Sequence, residues 1–471
     1  MKVLLINPPN HYMTSANTPD FVDTEGGYNP PLGLLYVAAY LQNNSDHQVE
    51  ILDALVEEMD YGQIEALIRQ KQPDVVGITT LTFTLIDVID TIKTVKKAHS
   101  QAKIVLGGPH VHLFPQETIN LPGVDFLVLG EGEKTFCYLM NNIDNLEALK
   151  RFKGLVFKEN GALINTGEAA FIENLDELPY PARLLTSYKK YSSLMAGGAL
   201  ITTMITSRGC PFKCVFCDRP HLGKSFRARS AQNVLQEMEE CMKMGIKEFL
   251  VYDDTFTLDR KRVFAICQAI IDRKWDISWD IRTRVNTVDE EMLDILKRAH
   301  CKRISYGIEA GTDRVLGVLK KGITIEQTKK VIKMTKKKKI DVLAYFMIGS
   351  PSETKEEIMQ TIALAQELEP DYVHFSILTP FPGTHIYKEG LQNGFIAKDY
   401  WREFAQNPTP DFSAPFWEEN FSHDELFELI KLAYKSFYVR PAYIIRKLFQ
   451  VKSFAEFSRK AKAGLKVVFM R

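Results

Sequence analysis

The 471-residue sequence predicts an α/β protein: an N-terminal doubly wound, Rossmann-like parallel sheet, a central partial (β/α)6 barrel and a C-terminal helical region. Three observations carry this prediction. Short apolar runs alternate with longer stretches of helical period, as in parallel sheets with crossover helices. Small and polar residues gather just after the apolar runs, at the strand ends where such sheets bind ligands. The length exceeds what one core fills and calls for two or three domains. The 59 basic residues balance 59 acidic ones, so no global field points to nucleic acid.

Residues 1–150 open with the strand-like Met1–Pro9, which lacks the length and cleavage site of a signal peptide. Strands are predicted at Lys2–Ile6, Gln48–Leu52, Val75–Thr79, Lys103–Leu106 and Phe126–Leu129. Helices are predicted at Leu32–Gln42, Tyr61–Gln70, Thr84–His99 and Glu133–Asn142. The strand ends read Asn7-Pro8-Pro9, Thr79-Thr80, Gly107-Gly108-Pro109-His110 and Gly130-Glu131-Gly132-Glu133, where glycine lets backbone approach a large flat ligand. Spacing excludes a phosphate loop: Gly130-x-Gly132-x-Lys134-Thr135 is too short, and no G-x-G-x-x-G follows the first strand. Residues 151–195 read as a linker. A small hairpin, Phe152–Phe157 with Ala162–Asn165, turns at Asn160-Gly161. Leu178-Pro179-Tyr180-Pro181 then breaks regular structure twice.

In residues 196–385 the βα rhythm resumes. Met204–Ser207 leads into a cysteine loop, and strands follow at Glu248–Tyr252, Ser278–Arg282, Arg303–Gly307, Asp341–Ile348 and Tyr372–Leu378. Helices are predicted at Ala231–Met244, Arg260–Arg273, Glu290–Ala299, Thr324–Lys337 and Lys355–Glu367, with Asp259 and Thr324 as N-caps. Asp253, Asp254, Arg284, Glu309 and Ile348-Gly349 fall at the carboxyl ends of these strands, where a parallel barrel keeps its active site. The run Lys336–Lys339 ends a helix, where cations complement the dipole, and reads as a solvated helix end.

Cys210, Cys214 and Cys217 stand at C-x-x-x-C-x-x-C spacing in Ser207–Cys217. Three close thiolates suit a cubane iron–sulfur cluster with one iron free of protein ligands. A structural zinc site asks for a fourth ligand, yet Cys137, Cys241, Cys267 and Cys301 are scattered singly. A disulfide framework suits a small secreted chain. The expected location is the cytoplasm, where thiols stay reduced. No apolar run reaches the roughly 18–20 residues of a membrane span.

The cysteine loop resembles the signature of the radical S-adenosylmethionine (SAM) enzymes. In that family SAM fills the open iron site and is cleaved to methionine and a 5′-deoxyadenosyl radical. The resemblance implies that Phe216 lies by the SAM adenine, that Asp253 and Asp254 meet its ammonium, that Arg284 pairs its carboxylate, that Glu309 accepts from its ribose, and that Ile348-Gly349 packs the adenine. Ser350-Pro351-Ser352-Glu353-Thr354 departs from the family's commoner G-x-P-G-E-T form. Pro30-Pro31-Leu32-Gly33-Leu34, Gly107-Gly108-Pro109-His110 and Leu129-Gly130-Glu131-Gly132-Glu133 resemble the cobalamin-binding domain of cobalamin-dependent members. This assigns Pro31, Leu32, Gly33, Thr79, Thr80, Gly107, Gly108, Pro109, Gly130 and Glu131 to cobalamin. The D-x-H-x-x-G motif that supplies a lower axial histidine is absent from Asn10–Thr14, and His110 and His112 read as polar loop residues. A vestigial domain without cofactor is the competing reading.

Residues 386–471 are predicted helical at Asp424–Tyr438 and Ala442–Phe449, with a capping box at Ser453 and Glu456 for a last helix. From Tyr438 onward nine basic residues face one acidic residue, Glu456. Such a tail either lies on an anionic membrane or caps the active site with a solvated basic face. The resemblance implies a methyltransferase acting on an unactivated carbon or phosphinate phosphorus of a small-molecule or lipid-like substrate. It also implies an electron donor such as flavodoxin or ferredoxin. A cobalamin-assisted radical cyclase or rearrangement enzyme is the alternative, and a non-catalytic cobalamin or redox sensor is the alternative of another class.

Overall fold

The computed structural model describes residues 1–14, 27–193, 199–217, 222–449 and 464. The N-terminal sheet contains β1 (Lys2–Asn7), β2 (Gln48–Asp53), β3 (Val75–Thr79), β4 (Lys103–Gly107) and β5 (Phe126–Val128), all parallel. Its crossover helices are α1 (Leu32–Asn44), α2 (Tyr61–Lys71), α3 (Leu85–Ala98) and α4 (Gly132–Asn142). In β1, Leu4 and Ile6 pack with Ile64, Ile68 and Val88 on one face, while Val3 and Leu5 pack with Leu34, Ala38 and Phe136 on the other. Burial on both faces explains why the strands read as continuous apolar runs.

The predicted hairpin does more than link. Its strands β6 (Leu155–Glu159) and β7 (Ala162–Asn165) extend the sheet antiparallel to β5, giving the order β2-β1-β3-β4-β5-β6-β7. Asn160 and Gly161 both take positive φ, which matches the twist of a two-residue hairpin.

The central sheet holds six parallel strands in sequence order: β8 (Ile201–Met204), β9 (Glu248–Val251), β10 (Ser278–Thr283), β11 (Cys301–Glu309), β12 (Asp341–Ile348) and β13 (Tyr372–Ile377). The sheet curls as an open barrel. Its outer face, with Trp279, Ile281, Ile304 and Phe346, packs against α5 (Ala231–Lys243), α6 (Arg260–Asp272), α7 (Glu290–Arg298), α8 (Ile325–Lys337) and α9 (Lys355–Leu368). Asp259 and Thr324 cap their helices as predicted, accepting from Arg262 N and Gln327 N.

Beyond the barrel come α10 (His385–Asn393), α11 (Tyr400–Gln406), α12 (His423–Tyr438) and α13 (Pro441–Phe449). Helix α12 closes the β13 edge. The Tyr434 hydroxyl bonds Phe375 N and O at 3.1 and 3.0 Å, and the Tyr438 hydroxyl bonds Val373 N and O at 3.0 and 2.8 Å. These phenols occupy backbone groups that would otherwise form an open edge. Among the described residues no helix is long and apolar enough to cross a membrane. The Ser453–Glu456 capping box and most of the basic tail lie outside the described residues.

Candidate active site

After β8 the chain enters a two-residue ribbon, Ser207–Arg208 paired with Arg227–Ala228, and then the cysteine loop. Gly209 takes φ +82°, and a Cβ there would stand 2.2 Å from Ser225 O, so the tight entry to Cys210 admits no side chain. The loop is pinned from both sides: Val215 N donates to Leu319 O and Ile386 N donates to Val215 O. No disulfide joins any of the three cysteines. Arg284 Nη1 donates to Cys214 Sγ at 3.3 Å. Cys210 Sγ lies 3.9 Å from Thr255 Oγ1. Among the described residues no three His, Cys, Asp or Glu side chains are gathered for a single metal ion. A cubane takes each thiolate at a different iron, and three cysteines on a pinned loop suit that donor set.

The carboxyl ends of the central strands bring most of the predicted SAM residues to this loop. The Asp253 side chain is engaged within the protein. Its carboxylate accepts from Thr206 N and Oγ1 at 2.6 and 2.5 Å and from Ser207 N and Oγ at 3.0 and 2.7 Å, with Arg262 beside it. The carboxylate is taken up in fixing the entry to the cysteine loop. Asp254 is half-buried next to it, and its carbonyl accepts from Thr255 Oγ1. The Ile348 side chain lies in the outer core, so this position offers a ligand its backbone. Gly349 follows, packed against Leu426 of α12. Arg284 stacks on Phe212, its guanidinium 3.9 Å from the ring centroid, and donates to Lys321 O.

Glu309 takes φ +75° and is paired with Lys321 at 2.6 Å, both side chains buried. The pair sits over Gly307, where a Cβ would meet Glu309 Oε1 at 2.3 Å and Lys321 Nζ at 2.8 Å. Lys321 also lies over the Phe216 ring at 5.8 Å, and Phe216 packs with Met347, Leu378 and Ile386. Sequence reasoning missed Lys321. It lies twelve residues past Glu309, and no local pattern marks it as that residue's partner.

At the carboxyl edge of the N-terminal sheet, Gly108 closes on the Thr80 backbone, where a Cβ would stand 2.8 Å from Thr80 O. Gly33 and Gly130 face open space, with no atom within 4 Å of an added Cβ. Thr79, Gly107 and Pro109 complete this edge, and Pro31 and Leu32 start α1 beside it. His110, read from the sequence as a polar loop residue, lies in the short helix Pro109–Leu113. It is fully buried, and burial pushes its pKa down to about 3, so the imidazole is neutral. Its Nδ1 meets Thr82 Oγ1 at 3.0 Å, and its Nε2 has no partner among the described residues. An orphaned buried nitrogen beside open glycine faces fits a large polar ligand at this edge.

The Glu131 side chain joins the two domains. Its carboxylate points across to the central domain, where it accepts from Arg208 Nη1 at 3.0 Å, Arg227 Nη1 at 3.0 and 2.9 Å, and Ile172 N at 2.6 Å. Glu133 takes Arg208 Nη2 at 2.5 Å. Burial opposes the charge on Glu131, but Arg227 and Arg208 outweigh it and hold the carboxyl below the ordinary glutamate range. A second buried knot lies alongside. Glu237 binds Arg183 of the linker at 2.5 Å and also Arg229, which reaches Tyr36 of α1 at 3.3 Å. The N-terminal edge and the cysteine loop are thereby fixed to each other through Arg208, two residues before Cys210.

Residues 204–365 match the Radical SAM superfamily, and residues 20–139 match the B12 binding domain. An uncharacterized methyltransferase of Pyrococcus horikoshii is 36% identical over 96% of each chain. The chain belongs to the radical SAM superfamily, in its cobalamin-binding branch. An anaerobic magnesium-protoporphyrin IX monomethyl ester cyclase of Cereibacter sphaeroides is 27% identical over 94% of this chain and 71% of its own. Two solved structures share the fold: the cobalamin-dependent radical SAM enzyme OxsB (TM-score 0.73, 18% identity, 98% of this chain and 70% of that one) and the radical SAM methyltransferase TsrM of Kitasatospora setae (0.68, 19%, 83% and 75%). As a member of this branch the chain is an enzyme that uses a [4Fe–4S] cluster, SAM and cobalamin. Its relatives support a methyltransferase.

Proposed function

We propose that this enzyme methylates an unactivated carbon, or a phosphinate phosphorus, of a small molecule by a radical route. The observation that carries the proposal is the buried Glu131–Arg208–Arg227 network, which holds the glycine edge of one sheet against the cysteine loop of the other. Two reactive groups held that close need no chance encounter. Cys210, Cys214 and Cys217 would hold the cluster. Asp254, Arg284, Glu309, Phe216 and the Gly349 backbone would hold SAM. Pro31, Leu32, Gly33, Thr79, Thr80, Gly107, Gly108, Pro109 and Gly130 would hold the corrinoid, with His110 Nε2 added to that set. Bound there, the cluster and SAM supply a 5′-deoxyadenosyl radical and the corrinoid supplies a methyl carrier. The chain's own work is positional. Arg284 donates to Cys214 Sγ and stacks on Phe212, the Lys321–Glu309 pair presents a fixed carboxylate at the ribose position, and the buried ion pairs hold the distance between the two edges.

With its true substrate the enzyme is expected to form S-adenosylhomocysteine and 5′-deoxyadenosine in equal amounts, with label from methyl-labelled SAM in the product. Deoxyadenosine without stoichiometric S-adenosylhomocysteine, and a product with no added methyl, would instead establish the cyclase or rearrangement reading that the similarity to the cyclase favours.

A lipid-like substrate at a membrane surface is supported by α13. It packs Tyr443 on the central core but leaves Ile445, Leu448 and Phe449 exposed next to the basic tail. Reduction by flavodoxin or ferredoxin is part of the same proposal. Full-length protein is expected to bind anionic vesicles, less so at high salt, and deletion of Ser453–Arg471 is expected to weaken that binding. Equal binding to neutral vesicles would leave the tail as a cap.

A further inference from the structure

We infer that the inner face of the open barrel carries an anion-receiving site centred on Arg282, which takes a carboxylate or phosphate group of the substrate. The inference rests on the radical SAM reading for its place in the reaction, but its geometry stands separately.

The pairing register fixes which side chains share the inner face. Asp280 pairs with Arg303, Arg282 with Ser305, Gly307 with Tyr345, and Tyr345 with His374. The alternate residues Trp279, Ile281, Ile304 and Phe346 belong to the outer core, so Arg282, Ser305, Tyr345 and His374 line the lumen. Strand β9 contributes Leu250 to the same face, and Tyr252 follows it. One layer deeper, Asp280 gives its carboxylate to Arg303. That pair is closed. Asp280 feels the charge of Arg282 without bonding it.

Arg282 itself is half-buried, and its guanidinium lies 3.9 Å from the centroid of the Tyr252 ring. Among the described residues no carboxylate stands within ion-pair distance of it, and no acceptor takes its N–H groups. Other buried arginines are occupied. Arg183, Arg208, Arg227, Arg229, Arg262 and Arg303 meet carboxylates, and Arg284 gives its N–H groups to Asn286 Oδ1, Cys214 Sγ and Lys321 O. A partly desolvated guanidinium costs free energy unless an anion completes it, and its fork geometry matches carboxylate and phosphate. The aromatic platform fixes the plane of that fork.

The position also fits a substrate. Arg284, two residues further along the same strand direction, touches Cys214. Two residues of strand span about 6.8 Å, so an anion held at Arg282 sits within one small molecule's length of the cluster loop. On the other side the Tyr252 hydroxyl reaches Asn29 at 3.4 Å, next to the Pro30-Pro31 turn of the corrinoid edge. Burial pushes the His374 pKa down to about 4, so this neighbour is neutral and does not repel or replace Arg282.

The test is calorimetric titration of reconstituted, full-length enzyme with benzoate, with phenylphosphonate and with neutral benzamide. Binding of benzoate, phenylphosphonate or both, with none by benzamide, is expected, and the anion that binds identifies the substrate's charged group. Binding is expected to weaken about 10- to 100-fold in Arg282→Met, less in Arg282→Lys, and with rising salt in the wild type. The salt series needs no variant. Failure of both anions to bind, equal binding of benzamide, salt-independent affinity or unchanged affinity in Arg282→Met would each overturn the site. Deoxyadenosine formation is read on the same wild-type samples. If it is absent while anion binding holds, the radical SAM reading fails and this site stands. If it is present while anion binding fails, this site alone is lost.

Discussion

Alanine at Cys210, Cys214 and Cys217 together is expected to remove the cluster outright, leaving about zero of the four irons and no 5′-deoxyadenosine from reduced protein and SAM. The physical reason is that the loop offers no substitute donors. Among the described residues no group of three potential ligands stands ready elsewhere, and Cys137, Cys241, Cys267 and Cys301 are buried. Burial pushes each of those four thiols above its ordinary pKa, which keeps it protonated and a poor ligand. The fold itself should survive the triple change. Val215 and the ribbon at Ser207–Arg208 are held by backbone bonds and by Asp253, not by the cysteine side chains. Iron analysis, the charge-transfer absorption near the visible and a thermal melt on the same sample check all three statements. A triple variant with wild-type iron and wild-type SAM cleavage would overturn the assignment of the loop.

Much of the fold was legible because its causes are local. Both faces of β1 are buried, so its run is continuously apolar, and strand and helix ends follow the periodicity to within a few residues. The hairpin at Asn160-Gly161 was legible for the same reason, since its turn is written in two residues. Its attachment to β5 was not, because that depends on a tertiary edge. The site shows the same division. Residue type and strand position brought Arg284, Glu309 and Phe216 to the cysteine loop. They did not reveal that Asp253 is spent on Thr206 and Ser207, 47 and 46 residues earlier. Lys321 and Arg282 were equally hidden. One is identified by its pairing with a glutamate of positive φ, the other by the register of a strand whose neighbours are not adjacent in sequence.

The second large effect is expected at Glu131. Alanine there removes the shared acceptor of Arg208 and Arg227, leaving guanidinium groups whose side chains are 8% and 4% exposed with too few partners. Breaking a buried pair from one side typically costs about 3–5 kcal/mol, because the remaining charge stays desolvated. Glu133 still holds Arg208 at 2.5 Å, so the loss should fall mainly on Arg227, whose remaining bonds go to the carbonyls of Ile172 and Leu222. Chemical denaturation is expected to show Glu131→Ala destabilised by about 3 kcal/mol. The double variant Glu131→Leu with Arg227→Met should recover more than half of that, since apolar replacement of both partners removes the stranded charge. The functional consequence separates this role from mere stability. The network sets the corrinoid edge beside the cysteine loop. Glu131→Ala should therefore still cleave SAM while forming less methylated product per deoxyadenosine, and the double variant, stable but without the charged link, should stay uncoupled. Wild-type stability in Glu131→Ala would show that the network is not the joint between the two sheets. Wild-type coupling in the double variant would show that other contacts, such as the stacking of Arg208 on Tyr36, hold the two edges without it.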